Sequence, residues 1–299
     1  MRRPSGAKVP KMRVRKAVIV AAGMGTRMLP ASKVIPKEIL PVVDKPAIQI
    51  VVEEVVASGI DEIVMVLSPG RTTVLDHFRS APELERLLER RLRHDLLEIV
   101  RYTNSLARFH TAHQHEPLGL GHAVLQAREA VGDEPFAVIL PDDIFDGARP
   151  CLGQLLDVAE RKDAPVVALM RVAPSEIPKY GIVSVEPAGP RLHRLIGMVE
   201  KPAISDAPSD LAIMGRYVLT ADIFPLLAEG KPGAGGEIQL TDALMALSKR
   251  RALYGYEFEG VRYDLGDRLG FLEAQIGFGL KRPELADKLR AYLKTVLSS

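Results

Sequence analysis

The sequence predicts an α/β fold in which a mostly parallel sheet is flanked by helices. Short apolar runs of strand length alternate with segments of helical periodicity up to about residue 172, an order that is typical of βαβ units. Beyond that point polar and apolar residues alternate, which predicts an antiparallel portion. Apolar residues make up 47% of the 299 residues, enough for a large core, and aromatic residues only 5%.

Charge and cysteine content narrow the class of protein. The formal net charge is +2, but residues 1–16 contain seven cations and no acid, so the rest of the chain is net acidic. The positive charge therefore belongs to a tail, residues 1–14, which we predict to be disordered, and it gives no support for nucleic-acid binding. The single cysteine, Cys151, fits a cytoplasmic protein, and the absence of a long apolar run predicts no membrane partner.

The stretch KAVIVAAGMGTRMLPASKVIPKEILPVVDKP, residues 16–46, has the strongest local pattern. Its apolar run 17–22 predicts a buried parallel strand that stops at Gly23 and Gly25. Glycines at such a point let backbone N–H groups approach phosphate oxygens. We therefore expect a nucleoside triphosphate at this loop.

Two cations, Arg27 and Lys37, strengthen that expectation because they can neutralise phosphate charge. The familiar phosphate motifs do not fit. A dinucleotide fingerprint would need a glycine where the chain has Met28, and no segment matches a Walker A loop. A βα turn that is closed by glycines and binds nothing remains the alternative.

The next elements form the first βαβ unit. Helical spacing of apolar residues predicts a helix over 46–58 with Gly59 at its C-terminal end, and EIVMVL at 62–67 predicts a second strand. A strand, a helix and a strand imply a right-handed crossover and a parallel pair. The leucine-rich charged segment 83–101 predicts one long helix whose charges face solvent.

Three histidines and a second glycine turn follow. His110, His113 and His115 suggest a zinc site, but no fourth ligand follows at suitable spacing, so metal binding is the less favoured interpretation. The sequence GLGH at 119–122 opens a predicted helix over 123–131. Such a turn at a helix N-terminus suits the close approach of a flat base or an anion.

The predicted third strand, 136–140, ends in Pro-Asp-Asp. Carboxylates at the carboxyl end of a parallel strand lie at the ligand edge of an open sheet. Mg²⁺ needs few carboxylates when substrate phosphates complete its shell, so Asp142 or Asp143 could bind a metal ion. The alternative is that one of them orders the turn or caps the predicted helix 150–161.

The antiparallel portion contains a second charged pair. Residues 165–172 predict another strand, and the alternation at 180–185 and 195–199 predicts a half-exposed ribbon. Glu200 and Lys201 end that ribbon, and adjacent residues of a strand point to opposite faces. One of them could bind a sugar hydroxyl and the other a phosphate, whereas a surface ion pair is the alternative.

The remaining elements lead to a late aspartate. Asp267 is a natural N-cap for a helix over 268–280. Asp264 has no such local function, which makes it the candidate for a second metal ligand. The other elements predicted here are a strand at 211–219, helices at 223–228, 240–249 (capped by Thr241 or Asp242) and 284–297, and a hairpin of 254–258 with 260–265.

Taken in order, these motifs resemble the sugar-nucleotide pyrophosphorylases, and most closely the bacterial UTP–glucose-1-phosphate uridylyltransferases, over residues 16–280. The resemblance rests on AAGMGTRMLPASKVIPKEILPVVDKP, GLGHAV, VILPDD, VEKP, GRYVL, GEIQLTDA and the charged segment ELERLLERRLRHDLLEIV. It implies a Rossmann-like fold of the nucleotide-diphospho-sugar transferase type, with an antiparallel sugar-binding portion. The implied organisation is one domain over 15–299, with a nucleotide-binding part near 15–150 and a sugar-binding and C-terminal part near 151–299.

The resemblance also implies a reaction. UTP and glucose 1-phosphate would give UDP-glucose and pyrophosphate, with Mg²⁺ as cofactor, in a cytoplasmic homodimer or homotetramer. A phosphate monoester with a second pKa of about 6 is largely a dianion at neutral pH, so it can attack the α-phosphorus directly. The near alternative is a nucleotidyltransferase for dTTP or another hexose 1-phosphate, and the distant one is a non-catalytic nucleotide-sugar-binding protein.

The roles that the resemblance implies fall into four groups. The catalytic cations are Arg27, Lys37 and Lys201. The nucleotide site comprises Ala21, Ala22, Gly23, Gly25, Glu38, Gln114 and Gly119. The sugar phosphate meets Gly181, Glu200, Lys201 and Gly215. The metal ligands are Asp142 and Asp264.

Overall fold

The computed structural model describes residues 12–233 and 236–298. The strands are β1 Lys16–Ala21, β2 Pro41–Val42, β3 Lys45–Pro46, β4 Glu62–Leu67, β5 Arg108–His113, β6 Phe136–Ile139, β7 Asp143–Asp146, β8 Val166–Arg171, β9 Gly181–Gly189, β10 Leu192–Glu200, β11 Leu211–Leu219, β12 Tyr254–Glu257 and β13 Val261–Asp264. The helices are α1 Ala47–Ala57, α2 Thr73–Asp76, α3 Pro82–Arg90, α4 His94–Ser105, α5 Leu120–Gln126, α6 Arg128–Val131, α7 Cys151–Lys162, α8 Ile223–Ala228, α9 Leu240–Ser248, α10 Arg268–Gly279 and α11 Pro283–Leu297.

A central sheet has the strand order β5-β4-β1-β6-β11-β8-β12-β10-β9. The first four strands are parallel to one another. Strand β11 runs antiparallel to both β6 and β8, and β10 runs antiparallel to both β12 and β9. The predicted α/β fold with an antiparallel portion is therefore confirmed.

Helices cover both faces of this sheet because alternate strand residues point to opposite sides. In β1, Ala17 and Ile19 join one apolar core with α1 and α7, whereas Val18 joins a second core with α5, α8 and α9. Every residue of β11, at the centre of the sheet, is buried. In the described residues, no helix combines the length and the apolar character that a membrane crossing needs.

One buried guanidinium ties distant segments together. Arg216 of β11 is 0% exposed and donates to both carboxylate oxygens of Glu54 in α1. It also donates to the backbone carbonyls of Leu140, Gly215 and Asp143, so its charge is fully solvated by protein groups. This node fixes the end of β6, where the predicted site residues lie.

Several predicted boundaries are wrong. The single helix predicted at 83–101 is two helices, α3 and α4, because Leu92 adopts a left-handed conformation with φ of 55°. The break lets α4 fold back on α3, so that Arg101 pairs with Glu85 and both helices bury a leucine. The helix predicted at 123–131 begins at Leu120 and is interrupted between α5 and α6.

The predicted hairpin of residues 254–258 with 260–265 is also wrong. Strand β12 lies in the central sheet, parallel to β8, while β13 pairs with β7 in a separate ribbon. Helix α9 is not capped by Thr241 or Asp242, since Gln239 occupies the N-cap position. The prediction of a disordered tail at 1–14 lies mostly outside the described residues, and Met12 and Val14 pack against the core.

Candidate active site

The glycine loop folds back on itself beyond the end of β1. Gly25 has φ of +67°, a conformation that favours glycine, and Ser32 Oγ donates to its carbonyl at 2.6 Å. Three short 3₁₀ turns follow, over Thr26–Met28, Ala31–Lys33 and Lys37–Ile39. They return the chain to the loop, so that Lys37 Nζ would lie 3.8 Å from a Cβ at Gly23.

The two predicted cations and the first predicted metal ligand lie together. Lys37 Nζ is 2.7 Å from Asp142 Oδ2, and Arg27 Nη2 is 3.8 Å from the same oxygen. Burial would raise the pKa of the Asp142 carboxyl, but the charges of Lys37 and Arg27 lower it below its ordinary value. Asp142 is therefore ionised and ready to meet a cation.

Glu38 lies beneath this cluster. It is 2% exposed, and neither carboxylate oxygen has a hydrogen-bond partner among the described residues. Burial raises the pKa of Glu38 to about 7, although the charge of Lys37 opposes the shift. Its predicted contact with the nucleotide stays a prediction.

Asp264 reaches the cluster from β13, which pairs residue by residue with β7 so that Asp264 is opposite Asp143. The premise that Asp264 lacks a local function is wrong. Its Oδ1 accepts from Gly266 N at 2.9 Å and its Oδ2 from Arg262 Nη2 at 3.2 Å. The turn is tight because a Cβ at Gly266 would lie 2.5 Å from Arg27 Nη2 and 3.0 Å from Asp264 Oδ1.

Asp142 and Asp264 thus face the same space beside Arg27. The backbone joins them, since Leu265 N donates to Asp142 O at 2.7 Å. In the residues that the structure describes, no three His, Cys, Asp or Glu side chains are grouped to hold a metal ion. Two carboxylates fit a hard divalent cation only if substrate oxygens complete its shell, which is the usual arrangement for Mg²⁺ with phosphates. Asp143 has another function, because it pairs with Arg262 and accepts from Gly215 N at 2.8 Å.

The second glycine turn is held from two sides. Gln114 is buried, and its Nε2 donates to Gly119 O at 3.0 Å. Gly119 has φ of +93°, and a Cβ there would lie 2.7 Å from Glu237 Cβ, so only glycine fits. Ala21 and Ala22 are buried below the loop, so contacts of these two residues with a nucleotide would be made by their backbone.

A polar cavity of about 200 Å³ lies beyond this turn and contains most of the predicted sugar-phosphate residues. Glu200 Oε2 accepts from Thr241 Oγ1 at 2.6 Å, and a Cβ at Gly181 would lie 3.1 Å from that same carboxylate oxygen. The prediction that Glu200 and Lys201 point to opposite faces is wrong. Strand β10 ends at Glu200, Lys201 has φ of +46°, and Lys201 Nζ is 3.8 Å from Glu200 Oε1.

Gly215 does not border the cavity in the described part of the chain. It is buried in β11, where a Cβ would lie 2.5 Å from Asp143 Oδ2 and 2.7 Å from Leu140 Cβ. The residue therefore makes room for Asp143 behind the cavity wall. Its predicted contact with the sugar phosphate stays a prediction.

Sequence reasoning missed three residues of this region. Tyr180 and Thr241 line the cavity, and Arg262 joins Asp143 to Asp264. The period of a strand offered a signal for Arg262, because it is two residues from Asp264 and therefore shares its face. The sequence predicts a helix-capping role for Thr241, and nothing in the local pattern around Tyr180 indicates a functional residue.

Comparison with known proteins identifies the family of this chain. Residues 16–277 match the model of the nucleotidyl transferase family. The UTP–glucose-1-phosphate uridylyltransferase of Bacillus subtilis (strain 168) is 46% identical over 286 residues, covering 96% of this chain and 98% of the relative.

Two solved structures extend the comparison to the fold. A UDP-glucose pyrophosphorylase complexed with UDP-glucose matches with a TM-score of 0.82 at 39% identity, covering 90% of this chain and 100% of that one. A UTP-bound UGPase from Acinetobacter baumannii matches with a TM-score of 0.86 at 37% identity, over 94% of this chain and 99% of that one. The chain therefore belongs to the nucleotidyl transferase family, among its UTP–glucose-1-phosphate uridylyltransferases.

Proposed function

We propose that this protein forms UDP-glucose and pyrophosphate from UTP and glucose 1-phosphate by direct attack of the sugar phosphate on the α-phosphorus. The observation that carries the proposal is the 2.7 Å contact of Lys37 with Asp142. It brings a cation of the glycine loop to a carboxylate just beyond the end of β6, 105 residues away. The ammonium of Lys37, which could bind a triphosphate, therefore lies next to the carboxylate of Asp142, which could bind the accompanying metal ion.

The reaction needs charge neutralisation more than it needs a nucleophile from the protein. The attacking phosphate is a dianion, and the triphosphate is more strongly charged, so the barrier lies in bringing two anions together and aligning them. Arg27 and Lys37 would neutralise the triphosphate, and Lys201 would meet the sugar phosphate. These fixed charges would also stabilise the negative charge that develops on the transferred phosphoryl group.

Nucleotidyl transferases of this family typically use a divalent metal ion. Asp142 and Asp264 are the residues that would hold Mg²⁺ here. Mg²⁺ would supply Lewis-acid neutralisation of the phosphate oxygens. Lys37 balances the charge of Asp142 in this structure, and Arg27 lies beside the same carboxylate.

The cavity beside Glu200 would receive the hexose. Glu200, held by Thr241, offers a second oxygen as acceptor for sugar hydroxyls, and Lys201 lies at the same rim. Assembly as a homodimer or homotetramer and a cytoplasmic location stay predictions for this chain. No observation favours dTTP, another hexose phosphate or a non-catalytic sensor.

A substrate panel tests the proposed function. The purified protein would be mixed with UTP, dTTP, ATP or GTP and with different hexose 1-phosphates, with and without Mg²⁺, and pyrophosphate release would be measured. We expect the highest turnover with UTP and glucose 1-phosphate and none after chelation of divalent cations. Full turnover in excess chelator, or equal turnover with dTTP, would contradict the proposal.

A further inference from the structure

Arg262 connects two parts of the candidate site that come from different elements. Its Nε donates to Asp143 Oδ1 at 2.7 Å, its Nη2 to Asp264 Oδ2 at 3.2 Å and its Nη1 to the hydroxyl of Tyr180 at 2.9 Å. The side chain is only 7% exposed. All three nitrogens of the guanidinium are thus used inside the protein, none of them for a surface ion pair.

Tyr180 lies on the cavity side of this arrangement. The Cζ atom of Arg262 lies 5.1 Å from the centroid of the Tyr180 ring. Tyr180 lines the cavity together with its neighbours Lys179 and Gly181. Its backbone carbonyl accepts from Lys201 N at 3.0 Å. The position of Tyr180 therefore also determines where the chain turns at Lys201.

Asp264 lies on the opposite side, next to Asp142 and Arg27. One carboxylate oxygen is fixed by Gly266 N and the other by Arg262, so neither oxygen can rotate away without breaking a hydrogen bond. A planar guanidinium can hold a carboxylate and a phenol at once, whereas a lysine ammonium is a point charge without fixed directions.

We propose that Arg262 is a positioning residue for the reaction proposed above. By holding the Asp264 carboxylate and the Tyr180 hydroxyl in one fixed arrangement, it fixes the distance between the proposed metal ligands and the cavity that would bind the sugar phosphate. The inference rests on the proposed function for its reaction, but the binding geometry that it describes can be measured without turnover.

Two variants test this inference, and a third is the control. Arg262→Lys keeps the positive charge but removes the planar guanidinium that makes three hydrogen bonds. Tyr180→Phe removes a single hydroxyl that accepts from Arg262. Tyr263→Phe removes a hydroxyl from the same strand as Arg262 but on its opposite face, where the ring packs on Gly277. For each protein we would measure thermal unfolding, the calorimetric Kd for UDP-glucose, and kcat with both KM values.

Loss of a hydrogen-bond partner that orients a metal-binding side chain typically lowers metal affinity or activity by 10–100-fold. We expect an effect at the low end of this range, about a tenfold weaker Kd for UDP-glucose, in Arg262→Lys and Tyr180→Phe. The KM for glucose 1-phosphate should rise in both variants. The KM for UTP should rise with it in Arg262→Lys, which also loses the Asp264 contact, but should change much less in Tyr180→Phe. Tyr263→Phe should match the wild type. A structural role alone would lower the unfolding temperature without this separation of the two KM values.

Kd and KM values within twofold of the wild type in both variants would overturn the inference. Should Arg262→Lys fail to fold, Tyr180→Phe alone decides, because it deletes one oxygen atom. A wild-type protein that binds UDP-glucose but releases no pyrophosphate would refute the proposed reaction, and the calorimetric comparison would still decide the positioning role of Arg262.

Discussion

Lys37 and Asp142 show how single residues prepare the site before any ligand arrives. Each neutralises the other at 2.7 Å, and Arg27 lies close enough to take over part of that task. Burial would lower the pKa of Lys37, but the charges of Asp142 and Glu38 raise it, so the ammonium stays protonated. The ammonium is therefore a fixed positive charge beside the glycine loop, where it would bind a phosphate group.

Lys37→Ala should lower turnover by about 10²–10³, the order of magnitude for the loss of one preorganised charge contact. Initial rates of pyrophosphate release at saturating substrate would measure this, with circular dichroism to verify the fold. Lys249→Ala, an exposed lysine after α9, is the matched control and should leave the rate unchanged. Unchanged turnover in folded Lys37→Ala would refute the role of Lys37.

Glu38 should make the stability of the protein depend on pH. Its folded-state pKa of about 7 is above the ordinary value, so the folded protein binds more protons than the unfolded one between these two values. Stability should therefore fall as pH rises through this window. Of the charged groups that act on Glu38, Lys37 and Arg71 oppose this rise in pKa and Asp142 adds to it.

Glu38→Gln removes this titration and should stabilise the free protein at pH 8 by up to about 3 kcal/mol relative to its effect at pH 4.5, since one pKa unit corresponds to about 1.4 kcal/mol. Urea unfolding of both proteins across this pH range would measure the difference. Glu83→Gln, at an exposed position in α3, is the control. Parallel stability curves for Glu38→Gln and the wild type would show that Glu38 is not buried as described.

At the residue scale the sequence predicts types of residue better than their contacts. Arg27, Lys37 and Asp142 could be chosen because strand ends and glycine loops are local features. The contact of Lys37 with Asp142 could not be predicted, because it joins segments 105 residues apart. The expectation that Asp264 has no local function is wrong, because its carboxylate accepts a hydrogen bond from Gly266 N. A turn this short leaves no apolar pattern in the sequence from which that contact could be predicted.

At the scale of elements, the turn between β13 and α10 links the site to the C-terminal helices. Asp267 is the N-cap of α10 and accepts from Leu269 N and Gly270 N, which confirms the predicted cap. The turn from Asp264 to Asp267 is closed by a backbone hydrogen bond between these two residues. The start of α10 thus supports the strand end that carries Asp264.

Asp267→Ala should reduce the free energy of unfolding by about 1 kcal/mol, the usual effect of losing an N-cap. Chemical denaturation would measure it. Asp287→Ala, an exposed aspartate within α11, should stay within about 0.5 kcal/mol of the wild type. An Asp267→Ala loss no larger than that of the control would mean that the cap does not stabilise α10.

Elements that are buried on both faces were the predictable ones. Strands β1, β4 and β6 are nearly continuous apolar runs of four to six residues, a length that favours a buried strand over a helix. Residues 261–264 were assigned to the wrong partner, because their strand pairs with β7 and no local pattern encodes that distance. The sequence does not indicate the break at Leu92, because the helical spacing of leucines continues across it. Helix α3 ends two residues before this position.

At the scale of the molecule, the proposed direct attack needs no nucleophile from the protein, and the single cysteine is not placed to supply one. The single cysteine, Cys151, is 2% exposed at the start of α7. Burial and the nearby carboxylate of Glu54 raise the pKa of its thiol well above the ordinary value. A thiol in this state is neither accessible nor nucleophilic.

Treatment of the native protein with iodoacetamide should therefore leave turnover unchanged. Mass spectrometry would show no alkylation of Cys151 before unfolding and complete alkylation in denaturant, which serves as the internal control. Turnover that falls in proportion to labelling of the native protein would mean that the thiol is exposed or takes part in the reaction.

The buried Arg216 has a consequence for how relatives of this protein can exchange parts. Its partner Glu54 belongs to the portion before residue 150, and Arg216 itself to the portion after it. A chimera spliced near residue 150 inherits one charge from each parent. If either parent lacks its half, an orphan ion is left in the interior, at a penalty of several kcal/mol. We expect recombination at this point to succeed only between relatives that both carry the Glu54–Arg216 ion pair.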